Sequence, residues 1–142
     1  MHSLSTLISH LQTELSLAKS FKVEAAKDKD TTTTGPGSQI KIYVGYSGIA
    51  GAGSLSKLET PVDGEELLSD FTQFTVIQFE CDTDDVPVVW KALYAAMSYY
   101  NPIDSIEADY SGYTYDSGGV KGIVNGRYSW QDVWKLSFSF QA

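Results

Sequence analysis

The stretch Phe71–Tyr100, FTQFTVIQFECDTDDVPVVWKALYAAMSYY, decides the fold. Its first part alternates: Phe74, Val76, Gln78 and Glu80 fall on one side of an extended chain, and Thr75, Ile77, Phe79 and Cys81 on the other. Strand side chains alternate between faces, so apolar groups on both sides predict a central strand over Phe71–Cys81, covered at least partly on each face. The second part changes period. Val89, Trp90, Leu93, Ala96, Met97 and Tyr100 recur at three- and four-residue spacing, which predicts an amphipathic helix. Asn101-Pro102 ends it, because the residue before a proline disfavours helical geometry.

Three acids, Asp82, Asp84 and Asp85, stand at the joint. Asp84 or Asp85 is expected to cap the helix, with Pro87 in a first turn where its missing N–H costs nothing. Asp82 is expected to be a surface charge. A calcium loop is excluded, since Val86 and Pro87 occupy positions where that loop needs an oxygen ligand and a glycine. Cys81 reads as a small packed residue, with no histidine near it in sequence.

Upstream, Leu4, Leu7, Ile8, Leu11, Leu15 and Ala18 predict an amphipathic helix over 3–19, capped by Ser3 or Ser5. His10 falls on its polar side, and with His2 as the only other histidine no metal site is expected. Phe21, Val23 and Ala25 alternate as a strand; KDKDTTTTGPGS (27–38) breaks the pattern; QIKIYVGY (39–46) resumes it. The two runs read as a long-looped hairpin. GYSGIAGAGSLSK (45–57) is glycine-rich but lacks the phosphate-loop spacing and a following helix, and Ser56 stands where a dinucleotide fingerprint needs its third glycine. It reads as a surface loop whose small residues, Ser47, Gly48, Gly51 and Gly53, let another chain approach. Gly64–Leu68 is expected to make one helical turn.

Downstream, Ile106, Ala108 and Tyr110 alternate into a strand running toward Tyr115. Asp116–Gly119 reads as a turn, Val120–Val124 as a short strand and Asn125-Gly126 as a hairpin turn. The last run places Trp134, Leu136, Phe138 and Phe140 inward and Lys135, Ser137 and Ser139 outward. The expected fold is therefore α+β: a mixed, mainly antiparallel sheet flanked by an N-terminal helix and a central amphipathic helix. A single domain over 1–142 is expected, with long loops at about 28–38 and 47–60.

Composition narrows the function. A net charge of -8 argues against a nucleic-acid groove, which needs a concentrated basic surface. No apolar run approaches the roughly 20 residues of a spanning helix, and the N-terminus lacks a basic leader region. From Leu58 to Pro87 the acids Glu59, Asp63, Glu65, Glu66, Asp70, Glu80, Asp82, Asp84 and Asp85 occur without a Lys or Arg, so one face of the fold is expected to be acidic. Tyr110, Tyr113, Tyr115 and Trp130 are candidates to line a pocket for a ring-bearing ligand.

In element order the chain resembles the tail-terminator (tail-completion) proteins of tailed bacteriophages. The resemblance lies in IYVGYSG after the N-terminal helix, FTVIQFECDTDD leading into VPVVWKALYAAM, and the C-terminal ADYSGYTYDSGGVKGIVNGRYSWQDVWKLSFSF. It implies a virion structural protein and not an enzyme, without cofactors, assembled in the host cytoplasm. Six copies would form a ring that caps the tail tube and meets the head–tail connector, with DNA passing but not specifically bound. Glu59, Asp63, Glu65, Glu66 and Asp82 are then candidates for the lumen or interface, and Ser47, Gly48, Gly51 and Gly53 for a subunit contact. A head–tail stopper, a tube-initiation protein and a small-molecule-binding domain are the alternatives.

Overall fold

The fold is built on one long central strand, with both helices on the same side of its sheet. The computed structural model describes residues 2–29, 35–51, 68–102, 107–109 and 112–141. In chain order these form α1 (Leu4–Glu14), β1 (Phe21–Ala25), β2 (Ile40–Gly51), β3 (Leu68–Asp82), α2 (Val86–Met97), β4 (Glu107–Asp109), β5 (Thr114–Val124) and β6 (Arg127–Gln141), with 3-10 turns at Ala26–Asp28 and Thr83–Asp85. The sheet is six-stranded in the order β1-β2-β3-β6-β4, and β5 also pairs with β6. Every pairing is antiparallel except β1 with β2. This is the mixed, mainly antiparallel α+β arrangement expected from the sequence.

The alternation in β3 partitions as read. Gln73, Thr75, Ile77, Phe79 and Cys81 are fully buried toward the helices, while Phe74, Val76, Gln78 and Glu80 are half-buried on the opposite face. Register extends the buried layer: Ile42 and Val44 lie opposite Phe79 and Ile77, and Leu136 and Trp134 opposite Gln73 and Thr75. Leu7 and Leu11 from α1 and Val89, Leu93 and Met97 from α2 close over it. Each large apolar side chain buried here contributes about 1.5–3 kcal/mol. The core is thus a helix layer on one face of the sheet.

Five expectations change. First, β1 and β2 run parallel, Phe21 opposite Ile40 through Ala25 opposite Val44, so they are not a hairpin. The connection 26–39 is long enough for the crossover that a parallel pair requires. Its first residues, 26–29, lie on the face away from the helices: a Cβ on Gly45 would meet Ala26, and Lys29 pairs with Glu80 and lies over the Tyr43 ring. Second, α1 stops at Glu14, short of 19; Ser3 caps it by accepting from the Thr6 N–H.

Third, Ser47, Gly48 and Gly51 are not loop residues but belong to β2, which continues past a bulge at Tyr46/Gly48; Gly53 and most of the expected 47–60 loop lie outside the described residues. Of the expected turn at 64–68, Leu68 opens β3 and the rest lies outside the description. Fourth, Asp116–Gly119 is not a turn but the interior of β5, with bulges at Asp116 and Lys121. Fifth, α2 ends at Met97, before Asn101-Pro102, and Tyr99 follows in the left-handed region at φ 60. Of the last strand's inward set, Trp134, Leu136 and Phe138 are buried as expected, but Ser139 is buried too.

Candidate functional site

The expected cap at the acidic joint is not what the aspartates do. Asp85 occupies the N-cap position of α2 with helical backbone angles and makes no side-chain cap bond; its carboxylate pairs with Lys19 at 2.7 Å. The preceding 3-10 turn already directs the chain into the helix, and Pro87 sits in the first turn. Asp82, read as incidental surface charge, has specific partners. It accepts from the Gly37 N–H at 2.9 Å and from the Arg127 guanidinium at 3.2 Å. Gly37 foremost, then Arg127, hold its carboxyl below the usual carboxylate range.

Arg127 organises this end of the molecule. Its side chain is 4% exposed and donates to the carbonyls of Ser38, Gln39 and Glu80 as well as to Asp82. Three chain segments distant in sequence are tied by one guanidinium, whose planar fork presents several donors at once. Its only sequence signal was position: it opens the last strand directly after Asn125-Gly126 and lies opposite Asp82 in the β3–β6 register. The acidic run is consequently less bare than its sequence suggests, since the fold brings Lys29 to Glu80, Arg127 to Asp82 and Lys19 to Asp85. Glu59, Asp63, Glu65 and Glu66 lie outside the described residues.

The surface best shaped for a partner is the β5–β6 arm. Asn125 and Gly126 both take positive φ, 52 and 76, the geometry that matches a two-residue turn to the twist of its strands. On the arm Val120, Ile123 and Val124 are 49%, 57% and 60% exposed. By register Val120 and Ile123 lie opposite Trp130 and Tyr128, whereas Val124 lies opposite Arg127, so apolar groups occupy both faces of the tip. Among the described residues β5 pairs only with β6, and its outer edge takes no further strand. At the other end of the sheet, the Val23 N–H of β1 is taken by the Gln12 side chain at 3.3 Å. An open edge flanked by exposed apolar groups is a template for another chain, tempered here by the two bulges and Lys121.

Behind the arm lies a buried carboxylate. Asp132, 1% exposed, accepts from the Trp130 indole N–H at 2.8 Å and the Tyr115 hydroxyl at 3.3 Å, and the Trp90 ring packs edge-on against Tyr115. Gly118 is required beside it, because an added Cβ would run into Asp132 Oδ1 and the Tyr115 hydroxyl. The glycine thus serves close packing and not a turn.

A second polar network anchors the N-terminus. The His2 N–H donates to Gln73 Oε1 at 2.8 Å, the Tyr46 hydroxyl donates to the His2 carbonyl, and His2 Nδ1 lies 3.1 Å from the Tyr113 hydroxyl. Gln73 in turn donates to Thr75 and Tyr113. Polar Gln73 and Thr75 on the core side of a central strand have their reason here: Gln73 binds His2, and Thr75 accepts from Gln73. Tyr113 is fully buried in this network, whereas Tyr115 and Trp130 serve Asp132, so these three do not line one ligand pocket; Tyr110 is outside the description. His10 is not free on the polar face of α1: Nε2 donates to the Ala96 carbonyl at 2.8 Å and the ring stacks on Tyr100.

Cys81 is buried as expected, and burial pushes its thiol up to about 11, away from nucleophilic use. Among the described residues no three metal-ligating side chains converge, and no helix is long and apolar enough to cross a membrane. No protein-family model matches the chain, and no curated protein is significantly similar to it.

Proposed function

We propose that this chain is a structural subunit of a bacteriophage tail, assembling as a ring, most simply a hexamer, that ends the tail tube and meets the head–tail connector. The observation that carries this reading is the β5–β6 arm, whose outer edge takes no strand among the described residues and whose tip exposes Val120, Ile123 and Val124. Exposed apolar groups clustered beside an open edge favour contact with another protein chain over an isolated existence. The element order supports the same reading, as does the net charge of -8, which lets DNA pass without holding it. The groups examined for chemistry are otherwise engaged: Cys81 is buried, Asp82 holds Gly37 and Arg127, and Asp85 holds Lys19.

In this reading copies meet through the arm, and DNA passes through the ring without specific contact. Immunogold labelling of intact particles tests the placement. Gold is expected at the junction of head and tail. Absence of the chain from purified virions and from isolated tail tubes would overturn the proposal.

A further inference from the structure

The donors to Asp132 are Tyr115 from β5 and Trp130 from β6 itself, and the Tyr115 ring in turn packs on Trp90 and Tyr94 of α2. The titratable groups near it are Tyr115 and, next in sequence, Asp116; Tyr94 of α2 packs on Trp90 and Tyr115. Among the described residues no ion pair reaches Asp132, the pairs being Lys19–Asp85, Lys22–Glu24, Lys29–Glu80 and Arg127–Asp82. A buried carboxylate without a counter-charge favours any opening that admits water, whereas the neutral acid does not.

The two protonation states are both satisfiable, but differently. The indole N–H of Trp130 can only donate, whereas the Tyr115 hydroxyl donates or accepts. We propose that Asp132 is a proton-operated latch on Tyr115, the ring by which the β5–β6 arm packs on α2: ionised, Asp132 accepts from Tyr115 and the Trp130 indole; protonated, it donates to Tyr115 Oη and keeps the indole bond. The proton comes from solvent and no covalent bond changes. With the acid neutral the arm is closed on α2. With it ionised the arm admits water more readily, and the arm is the surface placed above at the assembly contact. The latch itself stands on the geometry around Asp132 and not on the phage reading.

Burial, the dominant cause, pushes this carboxyl up, and its hydrogen-bond donors, Trp130 and Tyr115, pull it partly back. The folded chain therefore binds the proton more tightly than the unfolded chain, and through this group acidification from neutrality favours the closed fold.

All three tryptophans are available as reporters: Trp130 donates to Asp132, and Trp90 and Trp134 pack on Tyr115. The test is a pH titration of intrinsic fluorescence on the full chain, with far-UV circular dichroism as a check on folding. A fluorescence transition is expected above the range of ordinary aspartates, absent in Asp132→Asn and moved to higher pH in Trp130→Phe, which removes a donor to the ionised form. Amide exchange over 114–124, corrected for the intrinsic pH dependence, is expected to slow several-fold on the acid side of that transition. Should Asp132→Asn fail to fold, carbon-detected NMR of the wild-type aspartate carboxyls is expected to show one midpoint set apart above the rest. A transition retained in Asp132→Asn, an Asp132 carboxyl titrating with the surface aspartates, or corrected exchange indifferent to pH would each overturn the latch.

Discussion

Replacing Arg127 with methionine tests the clamp that joins β3, β6 and the approach to β2. Methionine keeps much of the stem's packing and removes the guanidinium. Three main-chain carbonyls, of Ser38, Gln39 and Glu80, lose a donor together with the Asp82 carboxylate. An unsatisfied buried acceptor costs about 1–3 kcal/mol, and removing one partner of a buried charged network about 3–5 kcal/mol. Asp82 is partly exposed and keeps Gly37, so water re-enters on that side and the lower end applies. The expected loss is about 3 kcal/mol, a fall in melting temperature of about 10 °C for a domain of this size. Urea unfolding measures it as a lower midpoint at unchanged slope.

The acid limb supplies a second readout. Asp82's carboxyl is held low in the fold by Gly37 first and Arg127 second, so its stabilisation is complete above the unfolded value and is lost as pH falls through the folded one. In Arg127→Met part of that acid dependence disappears. A loss below about 1 kcal/mol with the acid limb unchanged would refute a structural role for the guanidinium.

Three further outcomes follow from buried contacts. Gln73→Leu removes the acceptor of the His2 N–H and a donor to Thr75 and Tyr113 and is expected to cost about 2–4 kcal/mol in urea unfolding; a neutral result would mean that water or repacking replaces the network. Gly118→Ala collides with Asp132 and Tyr115, so thermal melting is expected to fall by several degrees, whereas Gly119→Ala, with open space around its Cβ position, is tolerated. Cys81, buried with its thiol pushed up to about 11, is expected to resist a thiol reagent at pH 8 in the native state and to react fully in denaturant; rapid native labelling would contradict the packing described.

The elements with strong periodicity were legible in the sequence. The alternation Phe74–Cys81 gave the central strand with the correct faces, and the spacing Val89–Leu93–Met97 gave the buried stripe of α2. Asn125-Gly126 gave the hairpin because its backbone requirement is local. Partner choice was not legible. Nothing in Phe21–Ala25 or Ile40–Val44 distinguishes a parallel neighbour from an antiparallel one, since both demand the same alternation. Gly118 and Gly119 resemble a turn because glycine marks close approach as readily as reversal, and only Asp132, fourteen residues on in the register partner, distinguishes the two.

The acids misled for a related reason. Asp84 and Asp85 satisfied a local capping rule, but the 3-10 turn and a distant Lys19 decided their geometry. Asp82 and Arg127 form their contact only when the β3–β6 register is set, so neither carried a local signal. Gln73 and Thr75 broke the apolar pattern of β3, which was the available clue that something polar is bound against that strand.

The proposal of a ring subunit is tested most directly by native mass spectrometry of the purified chain across a concentration series, beside Ile123→Asp, which places a charge on the exposed arm. A closed oligomer, most simply of six copies, is expected for the wild type, with dissociation toward monomers in the variant and no loss of fold by circular dichroism. A chain that stays monomeric at every concentration, or an oligomer indifferent to Ile123→Asp, would contradict assembly through the β5–β6 arm.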